Sequence, residues 1–197
     1  MQKHDLRFCR QEGADMMDFR FHVHLTDEDY LDYNIFWMLR SPYGKKQMIK
    51  FRIIFAALTA VVFFLSLLGG GFSADAFVGA IPYLVVLILV QLLLDPFFIW
   101  VLKGHIKSLK KQGKMGYSPD SEMEFFEDYF VEVTPQNKTE QKYSVLERIS
   151  VIENKCVYIH VNNVMSYILP MACFASKEEY GRFMEFIKTK CTAVDIY

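Results

Sequence analysis

The sequence predicts a membrane α+β protein: a two-helix transmembrane hairpin, then a small cytoplasmic β-barrel or sandwich capped by a C-terminal helix. Three observations carry that expectation. Residues 53–102 hold only two charges, Asp75 and Asp95, and the stretches on either side carry bases without acids. Two uncharged runs inside that block each reach spanning length. Beyond it, short alternating segments set off by turn residues give way to one amphipathic helical pattern.

The bulk figures are averages over these unlike parts. The chain has 197 residues, 52% hydrophobic and 16% aromatic, with a formal net charge of -1. That length suits one ordinary domain, or a small domain plus something else. The composition excludes a disordered chain, and four cysteines exclude a disulfide scaffold. A near-neutral body also excludes a basic nucleic-acid binder, so no nucleic-acid partner is expected.

Residues 1–18 lack an apolar core of the kind that marks a cleavable signal peptide. They read as a disordered extension, with Met16 or Met17 as an alternative start. Residues 19–48 read as an N-terminal cytoplasmic strand and helix. Phe19, Phe21, Val23 and Leu25 alternate with Arg20, His22 and His24, the period of a half-buried strand. Thr26 with Asp29 three positions on forms a capping box, and the acids Asp27, Glu28 and Asp29 suit the positive end of a helix dipole. The helix is expected to end near Leu39, before Ser41-Pro42-Tyr43-Gly44.

The hairpin is assigned to residues 49–102, with spans of about 50–70 and 76–98. Ile53–Phe72 and Ala76–Leu94 are free of charge, and a crossing helix needs roughly 20 apolar residues. The glycine-rich segment 69–75 supplies the turn. Arg40, Lys45, Lys46, Lys50 and Arg52 precede the first span; Lys103, Lys107, Lys110, Lys111 and Lys114 follow the second. Bases confined to the outer flanks put both termini in the cytoplasm. These two patches set the topology and are also candidate sites for anionic lipid. Trp37 and Trp100 fall near the inner boundary, where amphipathic rings prefer to lie.

Residues 103–118 read as a basic connector containing Gly104, Gly113 and Gly116. The domain at 119–191 carries 13 acids and 8 bases with the six residues that follow it. It opens with a strand over Glu124–Thr134 and a turn at Pro135–Lys138. Strands follow at Gln141–Ser144, Arg148–Glu153, Cys156–Val161 and Met165–Pro170, with Asn154-Lys155 and Asn162-Asn163 as turns. Ser176 and Glu179 open the final helix, whose one face carries Tyr180, Phe183, Met184, Ile187 and Cys191. Residues 192–197 read as a tail.

The ordered set of Thr26–Tyr30, the two spans, FFEDYFVEVT at 125–134, YSVLERI at 143–149, YILP at 167–170 and the Ser176–Tyr180 helix start resembles the YcxB-like membrane proteins of bacteria. The resemblance covers about residues 17–190. It implies a cytoplasmic domain like the pleckstrin-homology fold, following two spans in a bacterial inner (plasma) membrane. Tyr143 stands where relatives often carry tryptophan. The resemblance supplies no activity, so no catalytic residue is carried over.

Site chemistry is sparse. His22 and His24 share a strand face, but two imidazoles are not a zinc site. Cys9, Cys156, Cys173 and Cys191 have no C-x-x-C spacing; Cys156 and Cys191 fit core positions. The nucleotide, zinc-protease and serine-hydrolase motifs are missing from the sequence, so neither cofactor nor metal is expected and the chain reads as a non-enzyme. Asp95, before Pro96, is the residue of most interest. If the second span starts at Ala76, Asp95 lies at the inner headgroup edge; if it starts near Pro82, Asp95 is buried by two turns and becomes an intramembrane functional candidate. The edge is favoured because Ala76–Leu94 already has the length to span.

The expected function is a membrane-anchored cytoplasmic interaction or regulatory module, with the lipid bilayer and a protein partner or a second copy as its partners. Alternatives are an oligomeric transport or channel component using Asp95, and a membrane immunity protein against a toxin.

Overall fold

The computed structural model describes residues 17–162 and 165–197. The expectation of disorder for 1–18 falls almost wholly outside these residues, as do Cys9 and half of the Asn162-Asn163 turn. The chain forms two units. Among the described residues, one comprises 17–24 with the stretch from 119 to the C-terminus, and the other is the continuous stretch 25–118.

In the continuous unit, α1 spans Asp27–Leu39, α2 Pro42–Gly69 and α3 Ala74–Lys111. Thr26 and Asp29 make the expected reciprocal capping box on α1. The α1–α2 corner closes on Gly44, where a Cβ would stand 2.1 Å from the carbonyl oxygen of Trp37. Ser41 caps α2 through its hydroxyl, which accepts from the Gly44 N–H (2.9 Å) and donates to the Trp37 carbonyl. α2 and α3 pack antiparallel about the 70–73 turn. Gly70 is required there, since a Cβ on it would meet that of Ala76 at 2.3 Å.

α3 is longer than the sequence suggested. Pro82 and Pro96 lie inside it without ending it. The first nine residues of the expected 103–118 connector are its last turns, so the loop begins only at Gln112. Gly104 costs the helix about 1 kcal/mol at most, too little to stop a helix already propagating. α2 and α3 are long and apolar enough to cross a membrane. Their apolar side chains, among them Ile53, Leu58, Phe64, Leu65, Val78 and Leu92, are exposed.

The discontinuous unit holds two four-stranded sheets, ordered β1-β2-β3-β4 and β7-β6-β5-β8, that do not close into a barrel. β1 (Phe19–His24) pairs antiparallel with β2 (Asp120–Phe125), from Phe19 opposite Phe125 to His24 opposite Asp120. The expected single strand 124–134 is two strands. β2 and β3 (Tyr129–Val133) are separated by a turn at 126–128, which the aromatic-rich run conceals from a period-2 reading. Tyr143 donates its hydroxyl to the Phe126 carbonyl (2.8 Å) and ties that turn down. β4 is Lys138–Lys142, starting earlier than expected, and residues 143–145 form a 3-10 turn.

The second sheet comprises β5 (Arg148–Ile152), β6 (Cys156–His160), β7 (Ser166–Pro170) and β8 (Val194–Ile196). The expected tail thus contains a strand, parallel to β5, with Ile149 opposite Val194. Three residues are too few to show a period. α4 (Lys177–Lys190) is capped by Ser176, whose hydroxyl accepts from the Glu179 N–H. The Glu179 carboxylate accepts from the Ala175 N–H (2.6 Å), one residue upstream of the expected capping box.

Phe183 of α4 lies fully buried against Phe21, Phe125 and Phe174, at ring separations of 5.1, 4.9 and 5.5 Å. Phe130 meets Tyr167 edge-on at 5.0 Å, joining the inner faces of the two sheets. Ile149, Val157, Ile159, Leu169 and Ile187 are buried completely. Cys156 and Cys191 take the core positions expected of them.

Candidate functional site

The charged residues singled out by sequence converge on one end of the helical unit. Arg52 and Asp95 lie almost equally far on either side of the 70–76 contact, so the antiparallel helices bring them level. The Arg52 guanidinium donates to the Asp95 carboxylate (2.7 Å) and to the Gln91 carbonyl (3.3 Å). Gln91 in return donates its amide to the Arg52 carbonyl (3.3 Å). The two side chains of the ion pair are 36% and 41% exposed. Phe51 and Phe98 pack beside the pair, 5.7 Å between ring centres. Chemically this is a clamp: a planar guanidinium satisfies a carboxylate and a backbone oxygen on the neighbouring helix.

Sequence reasoning singled out Asp95 and assigned Arg52 to a topology patch, and missed that they are partners. The signal was available, as opposite charges at mirrored distances from a predicted hairpin turn.

A second cluster fastens α1 to the end of α3. Asp27, in the first turn of α1, pairs with the Lys110 ammonium and accepts from the Tyr117 hydroxyl (2.8 Å). The Tyr117 ring stacks on Tyr30 at 4.7 Å. The hydrogen bonds from Lys110 and Tyr117 hold the Asp27 carboxyl below its usual range. Burial, reinforced by the bond to Asp27, pushes the Tyr117 hydroxyl up to about 12. Lys110 is therefore a fastening residue. Arg40, Lys45, Lys46, Lys50, Lys103, Lys107, Lys111 and Lys114 are all exposed.

The β unit contains a polar network that the sequence reading passed over. His160 is buried, with Nδ1 2.7 Å from the Ser166 hydroxyl and Nε2 3.1 Å from the Ser150 hydroxyl. Burial, aided by the Arg148 cation, lowers its pKa to about 4, so the ring is neutral. Arg148 pairs with Asp195 of β8 (2.9 Å). The arrangement ties three strands together through one imidazole. Its signal was three polar residues at register positions within otherwise apolar strands.

His22 and His24 lie on the exposed face of β1, and His24 pairs with Asp120 (2.7 Å). Among the described residues no group of three or more His, Cys, Asp or Glu is placed to hold a metal ion. Burial pushes the Cys173 thiol up to about 12, which leaves it a poor nucleophile.

Residues 125–187 match the model of a family described as YcxB-like protein. That stretch is similar to the YcxB-like family. The two candidate spanning helices precede it, in the order that the sequence resemblance implied. No curated protein and no solved structure matches the chain. The match begins at the last residue of β2 and ends inside α4. The folded unit that holds the YcxB-like domain is larger: it takes its first strand from before the helical unit and its last from after α4.

Proposed function

We propose that the protein is a membrane-anchored interaction or regulatory module of a bacterial inner membrane. It carries a cytoplasmic YcxB-like domain of pleckstrin-like architecture, has both termini inside, and has no enzymatic activity. The observation that carries this reading is the pairing of β1 with β2. His24 and Asp120 are 96 positions apart, with both long apolar helices between them, yet they end the same ladder. Strands that pair must lie on one side of a bilayer, which requires an even number of crossings. Two apolar helices supply that number, and their basic outer flanks make the shared side the cytoplasm.

The exposed apolar surfaces of α2 and α3 support insertion, because side chains that water would reject are satisfied by lipid. Two small, mostly antiparallel sheets with α4 packed on their core support the pleckstrin-like reading. The transport reading needs Asp95 as an available carboxylate, and Arg52 already neutralises it. Display of a folded domain at the bilayer fits a protein partner or a second copy of the chain.

The test is labelling of intact cells with a membrane-impermeant thiol reagent. Gly69, where a side chain meets open space, is changed to Cys in one strain, and the exposed Lys138 in another. Gly69→Cys should label and Lys138→Cys should label only after permeabilisation. The reverse pattern overturns the orientation, and extraction of the protein without detergent overturns the anchoring. Photo-crosslinking from Lys138 in native membranes then tests the interaction role; a reproducible turnover by the purified protein would sink it.

A further inference from the structure

We propose that the cytoplasmic end of the α2–α3 hairpin is a seat for anionic phospholipid, with Lys46, Lys50, Lys103 and Lys107 holding headgroup phosphates. This rests on the membrane reading above and adds a ligand class to it.

The structure sorts the basic patches into partnered and available cations. Arg52 is engaged by Asp95, and Lys110 by Asp27. Residues 33–119 contain two acids, Asp75 and Asp95. Asp95 is taken by Arg52, and Asp75 opens α3 at the opposite end of the hairpin. Of the α1 acids in the same unit, Asp27 is engaged by Lys110 and Asp29 closes the cap on Thr26. Among the described residues no ion pair reaches Lys46, Lys50, Lys103 or Lys107.

Their spacing makes the deficit costly. Lys46 and Lys50 stand four apart on α2, as do Lys103 and Lys107 on α3. Like charges at that spacing are neighbours on a helix and repel. α2 also opens with Lys45 and Lys46 and no acid in its first turn, at the end where the helix dipole favours negative charge. An anion between the helix ends relieves both conflicts.

Depth then selects the source of that anion. Counting back from the level Arg52–Asp95 pair puts Lys46 opposite Val101 and Lys103 opposite Gly44. About 20 helical residues cover the hydrocarbon layer. Measured from the 70–73 turn, that distance ends near Lys50 on α2 and near Leu93 on α3. Arg52, Asp95 and Lys50 therefore sit at the hydrocarbon edge. At about 1.5 Å per residue, Lys46, Lys103 and Lys107 stand about 9, 12 and 18 Å beyond it. From there flexible side chains reach back toward the phosphate layer, and its field acts over about a Debye length. Trp100, 71% exposed, lies one turn from Lys103 and reports on the lipid there. Each juxtamembrane cation raises anionic-lipid occupancy about fivefold, so removing one lysine pair lowers it by more than an order of magnitude.

The test uses the full chain carrying Trp37→Phe, so that Trp100 is the sole tryptophan. It is reconstituted into phosphatidylcholine vesicles containing either brominated phosphatidylglycerol or brominated phosphatidylcholine at equal mole fraction. The expected result is several-fold stronger quenching of Trp100 by the anionic lipid. The excess should shrink in K46Q/K50Q and in K103Q/K107Q, and vanish in the combined variant. Equal quenching by both lipids in the starting protein overturns the proposal, and so does an excess that survives in the combined variant. Quenching by neither lipid overturns the membrane reading itself.

Discussion

Phe21→Ala tests whether β1 is part of the core of the YcxB-like unit. Phe21 is 1% exposed, and the rings of Phe174, Phe183 and Phe125 lie 4.8, 5.1 and 5.8 Å from it. Truncating a fully buried phenylalanine costs about 3–5 kcal/mol, the lost transfer energy plus the cavity left behind. Because domains are stable by only about 5–15 kcal/mol, the variant should remain folded while opening far more often. Each 1.4 kcal/mol is tenfold in the open population, so the increase is about two to three and a half decades. Cys156 and Cys191, 4% and 6% exposed, are built-in reporters on the second sheet and on α4. Their labelling rate in the full-length protein, resolved peptide by peptide, measures that opening. His22→Ala on the exposed face of the same strand should leave the rate within a few-fold. If Phe21→Ala also leaves Cys156 labelling within a few-fold, β1 is not load-sharing with the core and the topological reasoning fails with it.

Three further outcomes are expected. Arg52→Gln and Asp95→Asn should couple in a double-mutant cycle of detergent unfolding by about 0.5–1 kcal/mol, held to that size by the partial exposure of both groups; additive effects would mean no clamp. Tyr167→Phe should raise Tm by an amount equivalent to about 1 kcal/mol. The Tyr167 hydroxyl is buried, and its polar neighbour, the Gln141 side chain, is too poorly placed to satisfy it fully. A lowered Tm would reveal a bond the structure does not contain. His160 has a folded pKa of about 4 against an ordinary 6.5, so the unfolded chain binds more protons between those values. Stability should therefore be full above pH 6.5 and fall by on the order of 3 kcal/mol as pH drops to 4. His160→Gln should flatten that slope, and an unchanged slope would assign it elsewhere.

The helical unit was largely legible in the sequence because its signals are local. A capping box, a glycine turn, and uncharged runs of about 20 residues each report on their own neighbourhood. The errors arose where a local rule was overridden. α3 continues through Pro82, Pro96 and Gly104 because a helix once nucleated tolerates single interruptions that its neighbours can absorb. In the β unit, β5, β6 and β7 were readable from their apolar runs and bracketing turns. The split of 124–134 was not, because Phe125 and Phe126 put apolar residues on both faces at the point where the chain turns. The Ser150–His160–Ser166 network was missed because its members come from three strands.

By itself the sequence determined which segments are apolar enough to enter a membrane, where the glycine turn between them falls, and which residues carry charge. Those are properties of composition and spacing over a few turns of chain. Partnership was decided only by the tertiary structure. β1 joins β2 across 96 positions, and β8 joins β5. The physical reason is that pairing depends on which backbone edges and side chains arrive together in space, and residues far apart in the chain leave no periodic mark of having done so.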